Sequence, residues 1–321
     1  MTLPPFTKSG PLPAHLKGLL LTLLGVLLIS PDTLLVRLIN TDEWTLLLWR
    51  GMAQSLVLLL LYRLWVGRQW LHKARALGKA LLIGSLLFSG TNIGFIVSLT
   101  NTSVANTLAI IAATPLFAAL LSWIILREKT APRTWLAIFG AAAGIAVIIS
   151  ASWRGGSAIG FGGGAFYGDI VALATALLLA ASFVGLRLYK DHNMLPCIIL
   201  GAFFSGLVGA ALSPDYLLPD GSYRWIALLA LTLPFATLLI TLGPRYLPAS
   251  EVSLLMLLET VLGPLLVWLF LAEQPPRETL WGGSLILLVL ALHALVGLHR
   301  QRRKTRQKDL PPGPAPAPIA D

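Results

Sequence analysis

Charged residues are scarce in this chain: they make up 12% of its 321 residues, whereas apolar residues make up 56%. A soluble domain typically carries about 25% charged residues, so this balance is far from that of a water-soluble globule. The mean hydropathy of +0.79 points in the same direction. The composition therefore excludes a soluble globular protein and predicts an integral membrane protein.

Cysteine pairs and histidine clusters are also missing. The lone Cys197 excludes an intrachain disulfide, and its apolar surroundings are typical of a buried, inert thiol. The five histidines have no His-Glu-x-x-His or other metal-ligand spacing, and no glycine-rich phosphate loop is present. We expect no metal, no cofactor and no enzyme activity. An intramembrane enzyme is the competing class, and it would need such a cluster.

Long apolar runs are abundant instead. At 1.5 Å per residue, about 20 helical residues cross the roughly 30 Å hydrocarbon layer of a membrane. Ten runs of this kind, joined by short linkers, cover approximately residues 16–38, 44–66, 80–99, 104–126, 135–152, 168–188, 196–212, 225–243, 250–271 and 280–298. The predicted fold class is therefore an all-α integral membrane protein with ten transmembrane helices.

Lysine and arginine accumulate in alternate linkers, which is a signal of topology. With ten spans, both termini lie on the same side of the membrane. Most of the 24 basic residues fall on that side, which we therefore place inside. We therefore predict cytoplasmic termini, a bacterial inner (plasma) membrane, and no nucleic-acid partner for the net charge of +10. The basic, proline-rich segment 300–321 predicts a disordered cytoplasmic tail, with contact to anionic lipid as the alternative.

Two stretches 145 residues apart, 103–128 and 248–273, read as copies of one membrane helix. Polar residues that recur at matched depths inside lipid indicate a shared pathway. The matched pairs are Asn106 and Glu251, Thr114 and Glu259, and Glu128 and Glu273.

The first helices of the two halves align at an offset of 150, where Gly18 meets Gly168 and Arg37 meets Arg187. Each half therefore has five helices. An odd number of crossings places the two halves in opposite orientations, which predicts an inverted repeat and transport by alternating access. The expected divisions are an N-terminal segment 1–15, a first repeat 16–152, a Gly- and Ser-rich linker 153–167, a second repeat 168–299 and the tail 300–321.

The motifs of both copies resemble the EamA-like family of the drug/metabolite transporter superfamily. The segments that carry the resemblance are 102–106, 115–121 and 126–128 for the family's fourth helix, and 249–250, 257–259 and 271–273 for its ninth. The second copy departs from the family where Thr260 replaces the usual proline. The resemblance spans about residues 18–298 and implies a ten-helix secondary carrier, often an exporter of amino acids or small metabolites, without an ATPase.

Two glutamates in the ninth helix are candidates for the substrate cavity, because a charge near the bilayer centre costs several kcal/mol unless it faces protein or water. Glu259 lies near the midplane, where desolvation favours its neutral form, so it is the proton-coupling candidate. The alternative is a neutral side chain bonded to a neighbouring helix. Glu251 lies nearer the inner mouth, where the helix dipole equally favours an interfacial carboxylate.

An aspartate and an arginine in the first two helices are further candidates. Asp32 follows Pro31, which removes a backbone donor and opens the helix beside a carboxylate. The alternative for Asp32 is contact with outer water or a pair with Arg37. Arg50 is a candidate for binding an anionic group, and the alternatives are snorkelling to the outer interface or pairing with Asp32.

Neutral polar residues complete the predicted cavity. Asn92 and its repeat counterpart Thr237 suit hydrogen bonds to substrate, and Asn106 and Thr114 are placed there because their repeat partners are glutamates. The alternative for all four is adhesion between helices, where hydrogen bonds are worth only about 1 kcal/mol.

Structural or gating roles are expected for the residues at helix bends and helix ends. Pro115 and Pro264 mark mid-helix bends that can act as hinges, and Pro31 has the same expected role in the first helix. Glu128 and Glu273 end their helices next to basic residues, which favours structural pairing or gating over contact with substrate.

Together these features predict a secondary active transporter that exports small metabolites, such as amino acids, or amphipathic drugs, with proton coupling through Glu259. The alternative is an uncoupled facilitator or exchanger of another solute, such as a sugar, a nucleotide-sugar or a lipid-like molecule. The expected partners are a small-molecule substrate, the lipid bilayer and protons, with no obligate protein partner.

Overall fold

The computed structural model describes residues 14–127, 132–155, 164–188, 194–243, 246–247 and 249–308. These residues are mostly helical, contain no strand, and include ten spans that are long and apolar enough to cross a membrane. The predicted all-α membrane fold is therefore confirmed. Glu128 and most of the linker between the repeats lie outside the described residues.

The first repeat contains eight helices that form five spans. They are α1 (Ala14–Ile29), α2 (Asp32–Ile39), α3 (Glu43–Val66), α4 (Trp70–Arg75), α5 (Lys79–Asn101), α6 (Val104–Ala112), α7 (Thr114–Leu126) and α8 (Pro132–Gly155). Helices α1 and α2 together form the first span, and α6 and α7 form the fourth. Helices α3 and α4 together lie in the second candidate span, Glu43–Arg75.

The second repeat contains five helices, one for each span. They are α9 (Ala165–Leu188), α10 (Leu195–Leu212), α11 (Tyr223–Leu242), α12 (Ala249–Leu271) and α13 (Arg277–Lys308). Because the ten spans alternate in direction, the first begins and the tenth ends on the same side of the bundle. We call that side the proximal face and the opposite side the distal face.

Helix α13 continues beyond its apolar part to Lys308. The start of the basic tail is therefore helical, whereas the sequence predicted disorder from residue 300. Residues 299–308 contain neither glycine nor proline, and arginine, lysine and glutamine are good helix formers. The helix therefore continues without interruption beyond the tenth candidate span, which ends at Leu298. Residues 309–321 lie outside the described part of the chain.

Prolines interrupt two spans and leave two others continuous. Ser30 and Pro31 separate α1 from α2, and Pro115 lies in the first turn of α7, where its missing N–H is not needed. Pro234 and Pro264, in contrast, lie inside the continuous helices α11 and α12.

Close glycine contacts join equivalent helices of the two repeats. A Cβ added to Gly51 of α3 would lie 2.7 Å from the backbone nitrogen of Gly206 in α10, and one added to Gly144 of α8 would lie 2.7 Å from the Gly282 oxygen in α13. Only glycine allows such an approach between membrane helices. The second span thus packs on the seventh and the fifth on the tenth, as a two-fold relation between repeats requires.

The two copies of the repeat helix end in the same way. Arg127 follows α7 and Ala272 follows α12, they are 145 residues apart, and both have a left-handed backbone with φ of 53°. A left-handed residue after the last turn is a common helix terminator. In the second copy this turn directs the next residue, Glu273, back towards the bundle.

Candidate functional site

A buried ion pair connects the first two spans. Asp32 is the first residue of α2, just after the proline break, and Arg50 lies about 10 Å along α3 from its distal end. Nη2 of Arg50 donates to Oδ2 of Asp32 at 2.8 Å and Nε donates to Oδ1 at 3.4 Å. Both side chains are 5% exposed. Of the partners considered from the sequence, Asp32 therefore pairs with Arg50 and not with Arg37.

Two residues of α5 complete the surroundings of Arg50. Nη1 of Arg50 donates to Oδ1 of Asn92 at 3.2 Å, and the guanidinium lies 5.4 Å from the centre of the Phe95 ring. A buried ion pair offsets its desolvation only when the geometry is good and the remaining donors are bonded. The bidentate contact and the Asn92 amide meet that condition for Arg50.

Several polar atoms around this ion pair have no hydrogen-bond partner among the described residues. They are Oγ1 of Thr33, Oε1 of Gln54 and Nδ2 of Asn92, all buried. A buried polar group without a hydrogen bond costs about 1–3 kcal/mol of folding free energy. Several such groups in one place therefore indicate a position where water or a ligand supplies the missing hydrogen bonds.

Gln54 was not predicted as a site residue. It lies one helical turn after Arg50 on the same face of α3, and this i, i+4 spacing of two polar residues in an apolar span is the signal that could have found it. Its Nε2 donates to Oγ1 of Thr237 in α11 at 3.4 Å, and Thr237 in turn donates to the Leu233 carbonyl. The predicted Thr237 thus joins the same region from the second repeat.

Glu259 approaches this region from α12. It is half-buried near the middle of the helix, one turn before Gly263. One turn later, a Cβ on Gly263 would lie 3.2 Å from Oγ1 of Thr33, so α12 packs closely on α2 at this depth. We call Asp32, Arg50, Gln54, Asn92, Thr237 and Glu259 the central site.

A second buried polar cluster lies near the distal face, around Asp169 of α9. Asp169 is fully buried and accepts hydrogen bonds from Oγ1 of Thr102 at 2.7 Å, Oγ of Ser152 at 2.5 Å and Nδ2 of Asn106 at 3.0 Å. Oδ1 of Asn106 accepts a bond from Thr279 of α13. We call these five residues the distal network.

The distal network changes the interpretation of Asn106, which the repeat pattern placed in the substrate cavity. Asn106 lies only two residues into α6, next to the distal face, and its amide is bonded on both sides. Asp169 was not predicted, because the residue aligned with it in the first repeat is the apolar Leu19. Its only sequence signal is a single carboxylate at the start of an apolar run.

An ion pair at the rim of the distal face joins the network. Nε of Arg37 lies 3.1 Å from Oε2 of Glu273 as an ion pair, and Nη2 donates to Oε1 of Glu273 at 3.3 Å and to the carbonyl of Thr102 at 2.8 Å. Oε1 of Glu273 also accepts the backbone N–H of Val104 at 3.1 Å. Glu273 therefore pairs with a residue from the other repeat and not with a basic neighbour in sequence.

The remaining predicted site residues lie apart from the central site. Glu251, near the proximal face, contacts His15 with 2.7 Å between Oε2 and Nε2. Thr114 is buried in the break of the fourth span, where its hydroxyl donates to the Ile111 carbonyl at 2.5 Å. Among the described residues, no group of three or more His, Cys, Asp or Glu side chains could hold a metal ion.

Comparison with known proteins supports this architecture. A solved crystal structure of a protein superposes on this chain with a TM-score of 0.61, covering 88% of this chain and 96% of that chain at 19% sequence identity, which shows the fold alone. No curated protein matches the sequence. The model of the EamA-like transporter family matches residues 16–150 and 166–295, once for each set of five spans. The chain belongs to the EamA-like transporter family, within the drug/metabolite transporter superfamily.

Proposed function

We propose that this protein is a secondary active transporter that exports small amphipathic metabolites or drugs by alternating access, and that it exchanges them for protons at Glu259. The observation that carries the proposal is the central site. It combines a buried ion pair with unsatisfied polar atoms, and it takes residues from both repeats. A polar site between two inverted repeats can be exposed to each face in turn as the repeats rock.

The proposed orientation places the proximal face in the cytoplasm of a bacterial cell. The supporting observation is the bias of lysine and arginine towards the proximal linkers and the end of α13. Export then carries substrate from the proximal to the distal face.

The charges of the central site suggest how a proton couples to the substrate. Arg50 binds Asp32 directly, and Glu259 lies one turn before Gly263, where α12 packs against α2, the helix that carries Asp32. An ionised Glu259 competes with Asp32 for Arg50, whereas a protonated Glu259 leaves the Asp32 pair intact. Gain or loss of one proton therefore rearranges the groups that face a substrate. The site contains an ion pair and amides rather than a nucleophile next to a base, which favours carriage over catalysis.

A thermal-shift screen of amino acids, sugars and cationic drugs on the purified protein identifies a ligand, and counterflow of that ligand is then measured in proteoliposomes. We expect saturable counterflow and accumulation driven by a pH gradient. Glu259→Gln should keep counterflow but lose the gradient-driven accumulation, because the proton site is gone.

Glu278→Gln, which changes an exposed carboxylate at the start of α13, is the matched control and should behave as wild type. Non-saturating ion currents would overturn the carrier proposal in favour of a channel. Unchanged pH dependence in Glu259→Gln would instead remove the proton role and leave an uncoupled exchanger.

A further inference from the structure

One continuous chain of polar contacts joins the distal ends of the spans. It runs from Glu273 to Arg37, from Arg37 to the carbonyl of Thr102, and from the Thr102 hydroxyl to Asp169 and then Asn106. Thr102 is the junction, because its backbone oxygen accepts from Arg37 while its hydroxyl donates to Asp169. The rim ion pair and the buried distal network are therefore one structure.

The important links of this chain cross between the repeats. Arg37, Thr102 and Asn106 belong to the first repeat, whereas Asp169 and Glu273 belong to the second. Alternating access requires relative motion of the two repeats. Contacts that cross between the repeats at one face must break or become hydrated when that face opens.

The backbones of α9 and of the turn between α5 and α6 leave little room for water beside these polar contacts. A Cβ on Gly168 would lie 2.7 Å from the backbone nitrogen of Thr102, so α9 touches the turn between α5 and α6 directly. This contact places Asp169, the next residue, against the Thr102 hydroxyl. The distal end of the bundle is closed at this point.

At the proximal face, the repeat partner of Gly168 makes a similarly close contact, but its nearest neighbours are apolar side-chain atoms. A Cβ on Gly18, the repeat partner of Gly168, would lie 2.9 Å from the side chain of Leu247, the residue that aligns with Thr102. Leu19 stands where the second repeat has Asp169. The close contact is thus common to both repeats, whereas the buried carboxylate and its hydroxyl donor occur at the distal face alone among these aligned positions.

We propose that Arg37, Thr102, Asp169 and Glu273 form the distal gate of the transport cycle, closed while the central site faces the proximal side. Arg37 and Glu273 are the gate pair, and Asp169 is a positioning residue that holds the Thr102 turn so that its carbonyl receives Arg37. This inference rests on the alternating access proposed above. It adds a group of residues that controls which face is open, outside the central site itself.

The gate can be tested by labelling without a substrate. A single reporter thiol, Thr33→Cys, is placed beside the central site in a Cys197→Ala background, and a membrane-impermeant maleimide is added outside intact cells. Opening of the distal gate exposes the reporter. Glu273→Gln, Arg37→Gln and Asp169→Asn should each raise its labelling rate at least about fivefold, the lower range of coupling between sites.

Double variants and control variants separate gating from general damage. Arg37→Gln combined with Glu273→Gln should label no more than marginally faster than either variant alone, because both changes remove the same ion pair. Thr102→Val combined with Asp169→Asn should likewise be no more than marginally faster than either alone, because both changes act on the same hydrogen bond. Glu278→Gln should leave the rate unchanged. Asp220→Cys, in the exposed loop before α11, should label fully in every background and so verifies the orientation and folding.

Equal labelling of Thr33→Cys in parent, gate and control variants, with normal labelling of Asp220→Cys, would overturn the gate. Additive acceleration in the double variant of Arg37→Gln and Glu273→Gln would overturn the specific role of the Arg37 and Glu273 pair. A variant that fails to fold is replaced by Thr102→Val alone, which removes one donor to Asp169. Since no ligand or proton gradient is used, failure of the gate is distinguishable from failure of the proposed transport.

Discussion

The central site and the distal network are both built around a buried aspartate, but their hydrogen bonding differs. Asp32 is neutralised by Arg50, and polar atoms of Thr33 and Gln54 next to the pair have no hydrogen-bond partner in the described part of the chain. Asp169 is held by neutral hydroxyl and amide donors, and both of its oxygens are bonded. A satisfied network stabilises one arrangement, whereas an incomplete one leaves positions that a ligand can fill.

This contrast predicts different responses to mutation. In the central site, removing the cation leaves an unpaired charge, so the effect on folding is largest there. In the distal network, removing the carboxylate leaves neutral donors unsatisfied, which costs less. Substitution of a central-site residue whose polar atom has no hydrogen bond should hardly change the free energy of unfolding, but it should weaken ligand binding.

The largest effect is expected for Arg50→Ala. Breaking a buried ion pair by removing one partner costs about 3–5 kcal/mol, because Asp32 remains charged or must take up a proton. Chemical unfolding in mixed micelles measures the free energy of unfolding. Arg63→Ala, at the exposed end of the same helix, is the control and should be near wild type.

A paired replacement makes the Arg50 prediction sharper. Asp32→Leu with Arg50→Met removes both charges and should recover most of the lost stability, since apolar groups can replace a buried pair at little cost. Counterflow should remain absent, because the charges that face the substrate are gone. If the single and double variants were equally unstable, the ion pair would not be the cause.

Asp169→Asn should have an intermediate effect on folding. The substitution keeps the volume but places a donor where Asp169 accepts from Thr102, Asn106 and Ser152, and one lost charge-assisted bond costs about 2 kcal/mol. The free energy of unfolding is again the measurement. Asp215→Asn, in an exposed loop, is the matched control. A loss as large as that of Arg50→Ala would contradict the distinction between the two aspartates.

The fold could be predicted well because the membrane allows few structures: an apolar run long enough to cross it must be a helix to bond its own backbone. The charge bias then gives the direction of the helices, and the repeat gives their grouping. The same reasoning made Asp32, Arg50 and Glu259 candidates, since embedded charges are rare in such runs. The sequence left outer water, Arg37 and Arg50 as possible partners of Asp32. The choice depends on how α2 and α3 pack, which the spacing of residues within one helix does not determine.

The repeat was less informative about individual side chains. Matched offsets placed Asn106 with the cavity because Glu251 is its partner, yet Asn106 bonds Asp169 while Glu251 contacts His15. The backbone relation between the repeats is preserved at Gly18 and Gly168, but polar groups beside it differ. Asp169 and Gln54 were missed for the same reason: each has its role through a neighbour from the other repeat.

The smallest effect on folding is expected for Gln54→Leu, which tests why the central site contains unsatisfied atoms. Its Oε1 has no partner among the described residues and its Nε2 contact is 3.4 Å long, so the apolar replacement should change the free energy of unfolding by less than about 1 kcal/mol. Ligand-induced thermal shift should nevertheless fall, because a buried polar group for the ligand is lost.

Ser152→Ala in the distal network is the complementary variant to Gln54→Leu. It removes a 2.5 Å hydrogen bond to Asp169, so it should cost about 1 kcal/mol of folding free energy and leave the ligand-induced shift unchanged. Gln54→Leu should therefore lower ligand binding with little effect on stability, whereas Ser152→Ala should lower stability with no effect on ligand binding. If Gln54→Leu lowered stability as much as Ser152→Ala and left binding unaffected, the amide would belong to a structural network, and unsatisfied atoms would not mark the substrate position.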